Sequence, residues 1–378
     1  MDFLIDGIMS VTWQQLLMYA VGVLLIWLAI KKEMEPSLLL PMGFGAILVN
    51  LPASGVIDQT MSGVGEVSGI IEWMFNVGIE ASEALPILLF IGIGAMIDFG
   101  PLLSQPVMFL FGAAAQFGIF IAIVVAALLG FDLKDAASIG IIGAADGPTS
   151  ILVSQVLGSN YVGAIAVAAY SYMALVPIVQ PFAIRLVTTK KERCIRMAYK
   201  ADTVTKPMRI AFPIIVTLIV GMIAPMSVSL VGFLMFGNLL RECGVLNSLS
   251  ETAQNALANL ITILLGMTVA SQMTADKFVR PDTLLILALG LFAFVFDTAG
   301  GVLFAKLLNL FLPEGKKINP MIGAAGISAF PMSGRVVNQM GLAEDNQNFL
   351  LMYSISVNVS GQIASVIAGG LLLTLMGA

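Results

Sequence analysis

The sequence is a succession of long apolar runs separated by short polar stretches. Runs at 14–30, 106–129, 161–184 and 282–305 hold roughly 17–24 mostly apolar residues, enough as helices to cross a hydrocarbon core of ~30 Å. Shorter runs at 37–52, 84–99, 208–225, 228–241 and 258–272 share that character. The pattern predicts an all-α polytopic membrane protein with about ten to eleven membrane segments. Composition agrees: 58% of residues are hydrophobic and 11% charged, where a soluble domain carries roughly 25% charged residues. Mean hydropathy is +0.98. The first run begins near residue 14 behind Asp2 and Asp6 and lacks a basic leader and a cleavage site. A retained helix is expected there.

Charge sets the topology. Lys31 and Lys32 follow the first run, and Arg185, Lys190, Lys191, Arg193, Arg196, Lys200, Lys206 and Arg209 crowd one loop. Positive residues in short loops mark the cytoplasmic side. The stretch 53–83 carries Asp58, Glu66, Glu72, Glu80 and Glu83 with no base and reads as external. The N-terminus is then external and the loop 185–209 cytoplasmic.

Counting crossings isolates one segment. Runs 14–30, 37–52, 84–99 and 106–129 leave Asp132–Asp135 outside, yet 161–184 must run inward to reach the basic loop. Unless 37–52 is itself re-entrant, 137–157 begins and ends on the same face. A re-entrant hairpin bending at Gly147-Pro148 satisfies that parity. Non-helical backbone at such depth survives only where protein or a watery cavity satisfies its polar groups.

The chain also resembles itself. "IGAADGPTSI" (142–151) faces "IGAAGISAFP" (322–331), "AYSYMAL" (169–175) faces "MYSISVN" (352–358), and 90–106 resembles 264–281. The offsets are 174 for Gly92/Gly266, 180 for Gly143/Gly323 and 183 for Tyr170/Tyr353, a drift expected of a diverged duplication. The second copy starts from the opposite face, so the expectation is two inverted repeats, each with a hairpin. Paired broken segments of this kind hold substrate and ion sites in many transporters. Four regions follow: 1–83 with the first spans and the acidic segment, 84–185 as repeat 1 with hairpin 137–157, 186–257 with the basic loop and linking spans, and 258–378 as repeat 2 with hairpin 319–337.

Candidate chemistry falls on these breaks. The chain has no histidine and only Cys194 and Cys243, which removes the commonest proton relay and any thiolate metal cluster. Proton and cation chemistry is left to carboxylates, hydroxyls, amides and backbone carbonyls. A carboxylate at membrane depth costs ~2.5–3.5 kcal/mol on translocon scales and usually marks an ion path. Asp146 is the leading cation ligand, a role compatible with capping the second hairpin arm. Asn319 opens the second hairpin, Ser328 sits at its break, and both offer neutral oxygen. Arg335 is either a basic group beside a cavity or a residue snorkelling to the interface. Tyr172 and Asn358 occupy equivalent turns of the two closing helices, where Tyr172 is a site group or a packed aromatic. Asp297-Thr298 is a second ion site or an acid paired to a neighbouring helix. No P-loop, dinucleotide fingerprint or nucleophile elbow occurs, and no nucleic-acid partner is expected.

"GIIGAADGPTSILVSQ" (140–155), "AVAAYSYMALVPIVQP" (166–181) and "INPMIGAAGISAFPMSGRV" (318–336) closely resemble the β subunits of sodium-pumping biotin-dependent decarboxylases, those of oxaloacetate, methylmalonyl-CoA and glutaconyl-CoA. The likeness runs from 28 to 370. It implies a multi-pass subunit of a prokaryotic inner (plasma) membrane that decarboxylates carboxybiotin, consumes a proton and exports Na+. Biotin would be carried by a separate carrier protein. The implied partners are that carrier, a carboxyltransferase α subunit, a small γ/δ-type membrane subunit, the lipid bilayer and further copies of the β subunit. Residues matching the family's functional positions are Asp146, Tyr172, Asn319, Gly323, Ser328, Arg335 and Asn358. Asp146 would be the acidic Na+ ligand, with Asn319, Ser328, Asn358, Tyr172 and Gly323 completing the ion path. Arg335 would receive the carboxyl of carboxybiotin and Tyr172 deliver the proton, so Arg335, Tyr172 and Asp146 form the implied catalytic set. The short chain points to the CoA-thioester variants. The rival expectation is a secondary Na+-coupled transporter of a small anion; an anchor without chemistry would gain nothing from Asp146.

Overall fold

The computed structural model describes residues 9–33, 36–81, 83–197 and 204–377. Asp2, Asp6, Lys200 and the rest of 198–203 lie outside the described residues. Helices α1 (Trp13–Lys32) and α2 (Pro36–Val49) form an antiparallel pair. Thr12 and Gln15 close a reciprocal capping box at the start of α1, and Lys31 and Lys32 sit in its last turn, where cations oppose the negative helix end. A small antiparallel hairpin follows, Asp58–Met61 with Gly65–Ser68. It is the one departure from an all-α chain among the described residues, and it is solvent-exposed throughout most of its length.

The chain continues through α3 (Ile70–Phe75), α4 (Ala84–Met96), α5 (Met108–Ala114) and α6 (Phe117–Leu128). The broken segment comes next: α7 (Leu133–Gly140), a 3-10 turn at Ile141–Ala144, and α8 (Gly147–Val156). Helix α9 (Val162–Val187) bends by 72° between Val162–Met173 and Leu175–Val187. Pro177 explains the place, because its ring clashes with the carbonyl four residues back, that of Met173. Helices α10 (Lys206–Ile223), α11 (Val228–Glu242) and α12 (Ala258–Val269) lead to α13 (Pro281–Phe311), 31 residues long. The second broken segment is a 3-10 stretch, Pro320–Gly326, an extended passage, and α14 (Met332–Glu344). Helix α15 (Leu351–Leu375) closes the chain.

The first bend falls earlier than Gly147-Pro148. Ala145 takes the left-handed conformation (φ 53) and Asp146 caps α8, so Gly147 and Pro148 are its first residues. Proline is well suited to the first turn of a helix, where its missing N–H needs no partner. The pair opens a helix here and does not make the turn.

Among the described residues six helices are long and apolar enough to cross a membrane, or up to eight if each bent pair counts as one span. Their burial separates lipid-facing elements from central ones. Only 17% of the apolar window of α1 or α10 is buried, against 78% for α15. Around α15 and α13 the core gathers Phe90, Phe99, Phe111, Phe294, Met321 and Ile322, with Phe111 edge-on to Phe304 at 5.2 Å. Both broken segments lie against α13, so one long helix backs both irregular stretches.

That backing depends on a contact without side chains. A methyl group added to Gly301 of α13 would strike the carbonyl oxygen of Gly323, and one on Gly323 would strike that of Gly301. Gly301→Ala should therefore lower stability by about 1–3 kcal/mol through overpacking. Thermal unfolding in detergent tests this, with Gly232→Ala as control, where the nearest atom to the new methyl is Thr217 Cγ2 at 3.8 Å.

Candidate functional site

The two breaks meet at Asp146. Its Oδ1 accepts the Thr149 N–H at 3.3 Å, the N-cap bond of α8. Its Oδ2 accepts hydroxyls from both ends of the sequence: Thr149 Oγ1 at 2.8 Å, Ser365 Oγ of α15 at 2.8 Å and Ser328 Oγ at 3.4 Å. The Ser328 and Ser365 hydroxyls lie 2.6 Å apart. The Ser328 N–H donates to Ala144 O at 2.8 Å, so the backbones of the two breaks are also bonded directly. Asp146 is 4% exposed, and no cationic side chain among the described residues neighbours it. The helix N-terminus favours Asp146 as an anion, and the neutral hydroxyls around it each carry two lone pairs, so carboxylate and hydroxyl oxygens together can receive a small cation.

Asn358 adds to this side. Its Nδ2 donates to Ala325 O at 3.1 Å and Ile327 O at 2.8 Å, immediately before Ser328, and its Oδ1 is buried without a partner. Asn319 lies elsewhere in the second segment. It caps the 3-10 stretch through Met321 N at 3.0 Å, and its Nδ2 donates to Arg193 O at 2.9 Å and Ile195 O at 2.8 Å. Gly323 sits at the backbone contact with Gly301. Tyr172 packs with Ile142 and Leu289 and donates its hydroxyl to Leu287 O on α13. None of Asn319, Gly323, Tyr172 or Arg335 shares a hydrogen bond with Asp146. Arg335 is exposed on α14, and its guanidinium has no ion pair among the described residues.

Asp297 is fully buried in α13. Its Oδ1 accepts the Ile119 N–H at 3.1 Å in the first turn of α6, and its Oδ2 lies beside Gly143 without a hydrogen-bond partner. The neighbouring Thr298 hydroxyl also has none. The observed partner of this acid is thus the N–H of an adjacent helix.

Up to Met197, where the described residues pause, the basic segment is packed against the fold. Arg193 pairs with Glu344 at 2.6 Å, and Arg196 forks onto Asp345 through Nε at 2.6 Å and Nη2 at 3.0 Å. Lys306 pairs with Glu192 at 3.0 Å. Arg193 O receives Nδ2 of both Asn319 and Asn348. Burial alone would raise the Glu192 carboxyl, but the Thr189 N–H and the Lys306 ammonium outweigh it and hold it below its ordinary value. Arg196 likewise holds the Asp345 carboxyl low. Groups with lowered carboxyls support the fold above their ordinary titration range and lose that support only as acid reaches the lowered one. The clamp therefore persists at neutral pH.

Three contributors had no sequence signal of their own. Ser365 is a serine in a regular small-residue helix, "NVSGQIASVIAGG". Tyr170, not Tyr172, lays its ring against Gly147 beside Asp146, and its hydroxyl is buried without a partner. The self-likeness pairs Tyr170 with Tyr353, which is the one hint. Arg193 acts through its backbone carbonyl, which no residue type announces.

Residues 14–376 match the family described as the Na+-transporting oxaloacetate decarboxylase beta subunit. The glutaconyl-CoA decarboxylase subunit beta of Acidaminococcus fermentans is 46% identical over 373 residues, covering 98% of this chain and 96% of its own. The methylmalonyl-CoA decarboxylase subunit beta of Veillonella parvula is 45% identical over 371 residues, covering 98% and 95%. The oxaloacetate decarboxylase beta chain of Klebsiella pneumoniae is 44% identical over 420 residues, covering 97% and 96%. The chain belongs to this β-subunit family.

Asp146→Ala removes the cap and its hydroxyl partners and should cost about 0.5–2 kcal/mol of stability. Asp146→Asn, an equally good cap, should melt close to the parent. Thermal unfolding in detergent checks both, and the asparagine variant then serves as a folded probe of the charge.

Proposed function

We propose that the Asp146 junction is the Na+ site of a membrane subunit that decarboxylates carboxybiotin and exports sodium as it does so. The sodium-pumping decarboxylase function itself follows from family membership. The single observation that supports the site is the carboxylate shared by the two breaks: Asp146 Oδ2 receives hydroxyls from Thr149, Ser328 and Ser365. Sodium is the cargo, taken by one anionic oxygen and several neutral ones. A set with more carboxylates would release it slowly. Moving one charge against 100 mV costs ~2.3 kcal/mol, a load a decarboxylation can meet.

The reading has two inverted repeats whose hairpins enter from opposite faces, within ten to eleven membrane segments. The bonded backbones at Ala144 and Ser328 support it. In this scheme the external N-terminus, the cytoplasmic basic segment and the plasma membrane of a prokaryote follow from the charge pattern. Asp146, Ser328 and Asn358 act at the junction. Asn319, Gly323 and Tyr172 belong to the same ion path, engaged in this conformer with Arg193, Gly301 and Leu287.

Biotin on the carrier supplies a carboxylate that loses CO2. What this chain's residues do for it is bind and protonate. Arg335 is exposed and unpaired among the described residues, as a carboxylate receptor must be. Tyr172 is the assigned proton donor. The carrier, the carboxyltransferase α subunit, a small γ/δ-type subunit and further β copies are the proposed partners.

The CoA-thioester variant is favoured. Alignment to the Klebsiella oxaloacetate chain extends over 420 positions, beyond this chain's 378 residues, so that relative carries segments absent here. The glutaconyl-CoA relative aligns over 373.

The test is radioactive sodium uptake into inverted vesicles holding the complete complex, with and without carboxylated carrier. Carrier-dependent uptake that falls at least about tenfold in Asp146→Asn is expected, the effect of ~1.4 kcal/mol or more at the site. Uptake unchanged in Asp146→Asn would overturn the site.

A further inference from the structure

The 3-10 stretch Pro320–Gly326 ends in buried backbone whose carbonyls have no helical partner, and membrane depth offers no water to replace one. Three carboxamides from three different elements take these carbonyls in turn. Gln180 of α9 donates Nε2 to Ala324 O at 2.8 Å and to Ser333 Oγ at 2.5 Å. Asn358 of α15 donates to Ala325 O and Ile327 O. Gln116, at the break between α5 and α6, donates to Gly326 O at 3.3 Å and to Gly112 O at 3.1 Å. Every carbonyl from 324 to 327 thus holds a carboxamide donor, and the next residue is Ser328.

The residue type is chemically constrained. Each of these side chains makes two donor bonds from one nitrogen, which a hydroxyl with one hydrogen or a carboxylate with none cannot do. Gln116, Gln180 and Asn358 are 4%, 0% and 0% exposed, and in all three the carboxamide oxygen has no hydrogen-bond partner. Leaving a buried acceptor unpaired costs about 1–3 kcal/mol.

We propose that Gln116 and Gln180 are positioning residues for sodium binding. Together with Asn358 they fix the backbone of 324–327, and that backbone presents the Ser328 hydroxyl to Asp146. The inference rests on the reading of the Asp146 junction as the sodium site. Loosening the collar lets Ser328 move away from the carboxylate, which weakens sodium binding more than it slows turnover.

The experiment uses the purified complex with its carrier and varies sodium chloride against choline chloride at constant ionic strength. Two quantities are read: the sodium dependence of decarboxylation, and sodium-dependent thermal stabilisation. Gln116→Leu and Gln180→Leu should each raise the sodium KM about five- to tenfold, the effect of roughly one lost hydrogen bond, with a smaller change in kcat. Stabilisation by sodium should shift to higher concentration by the same factor. Where leucine prevents assembly, Gln116→Met and Gln180→Met take the same measurements. Asp146→Asn separates the two claims. If it responds to sodium as the parent does, the site reading itself fails. If it loses the response while the glutamine variants keep the parental KM, the collar assignment is overturned. A fall in kcat at unchanged KM would also overturn it.

Discussion

A broken backbone inside a membrane must satisfy its own polar groups, and everything central to this fold follows from how two such breaks satisfy each other. Helix termini leave unpaired N–H and C=O groups, and hydrocarbon accepts none of them. Here the Ala144 carbonyl takes the Ser328 N–H, and the Asp146 carboxylate takes both a helix end and hydroxyls from the distant part of the chain. The polar groups that make the breaks expensive are thereby the ones that build the proposed site. Neither break is complete alone. The first supplies the anion and the Thr149 donors, the second adds Ser328, and α15 adds Ser365.

Distance along the fold links this junction to the basic face. Asn319 begins the second broken segment and is held by the carbonyls of Arg193 and Ile195, while the Arg193 side chain grips Glu344 at the end of α14. The second segment is thus anchored at both of its outer ends by one short basic stretch. A partner that engages Arg193 or Glu344 acts on the same rigid piece that carries Ser328. The two side chains are only 14% and 16% exposed, so losing one partner would leave a largely buried charge unpaired.

Much of this was legible in the sequence, because membrane sequences announce their exceptions. A carboxylate beside Gly-Pro, a second Ile-Gly-Ala-Ala followed by serine, and an asparagine a fixed distance downstream all stand out against apolar surroundings; Asp146 and Ser328 meet, and Asn358 bonds the backbone just before Ser328. The exact bend was misplaced because Gly-Pro reads as a breaker, whereas proline is also a good helix opener and Ala145 takes the turn. Ser365 was invisible because serine is common in packed membrane helices and its partner lies 219 residues away. The fixed basic segment was hidden for another reason. Positive-inside topology explains a cluster of Lys and Arg completely, so nothing in the sequence asked whether Arg193 and Arg196 had acids of their own.

The most direct test asks whether the two halves share one site. Thr149 and Ser365 donate to the same carboxylate oxygen from the two halves of the chain, each at 2.8 Å. A double-mutant cycle of Thr149→Ala and Ser365→Ala, read as sodium-dependent thermal stabilisation of the purified complex, measures their coupling. Convergence on one oxygen predicts strong non-additivity, on the order of 0.5–3 kcal/mol for groups in one network. Effects that simply add, within about 0.3–0.5 kcal/mol, would mean two independent positions and would contradict the shared site.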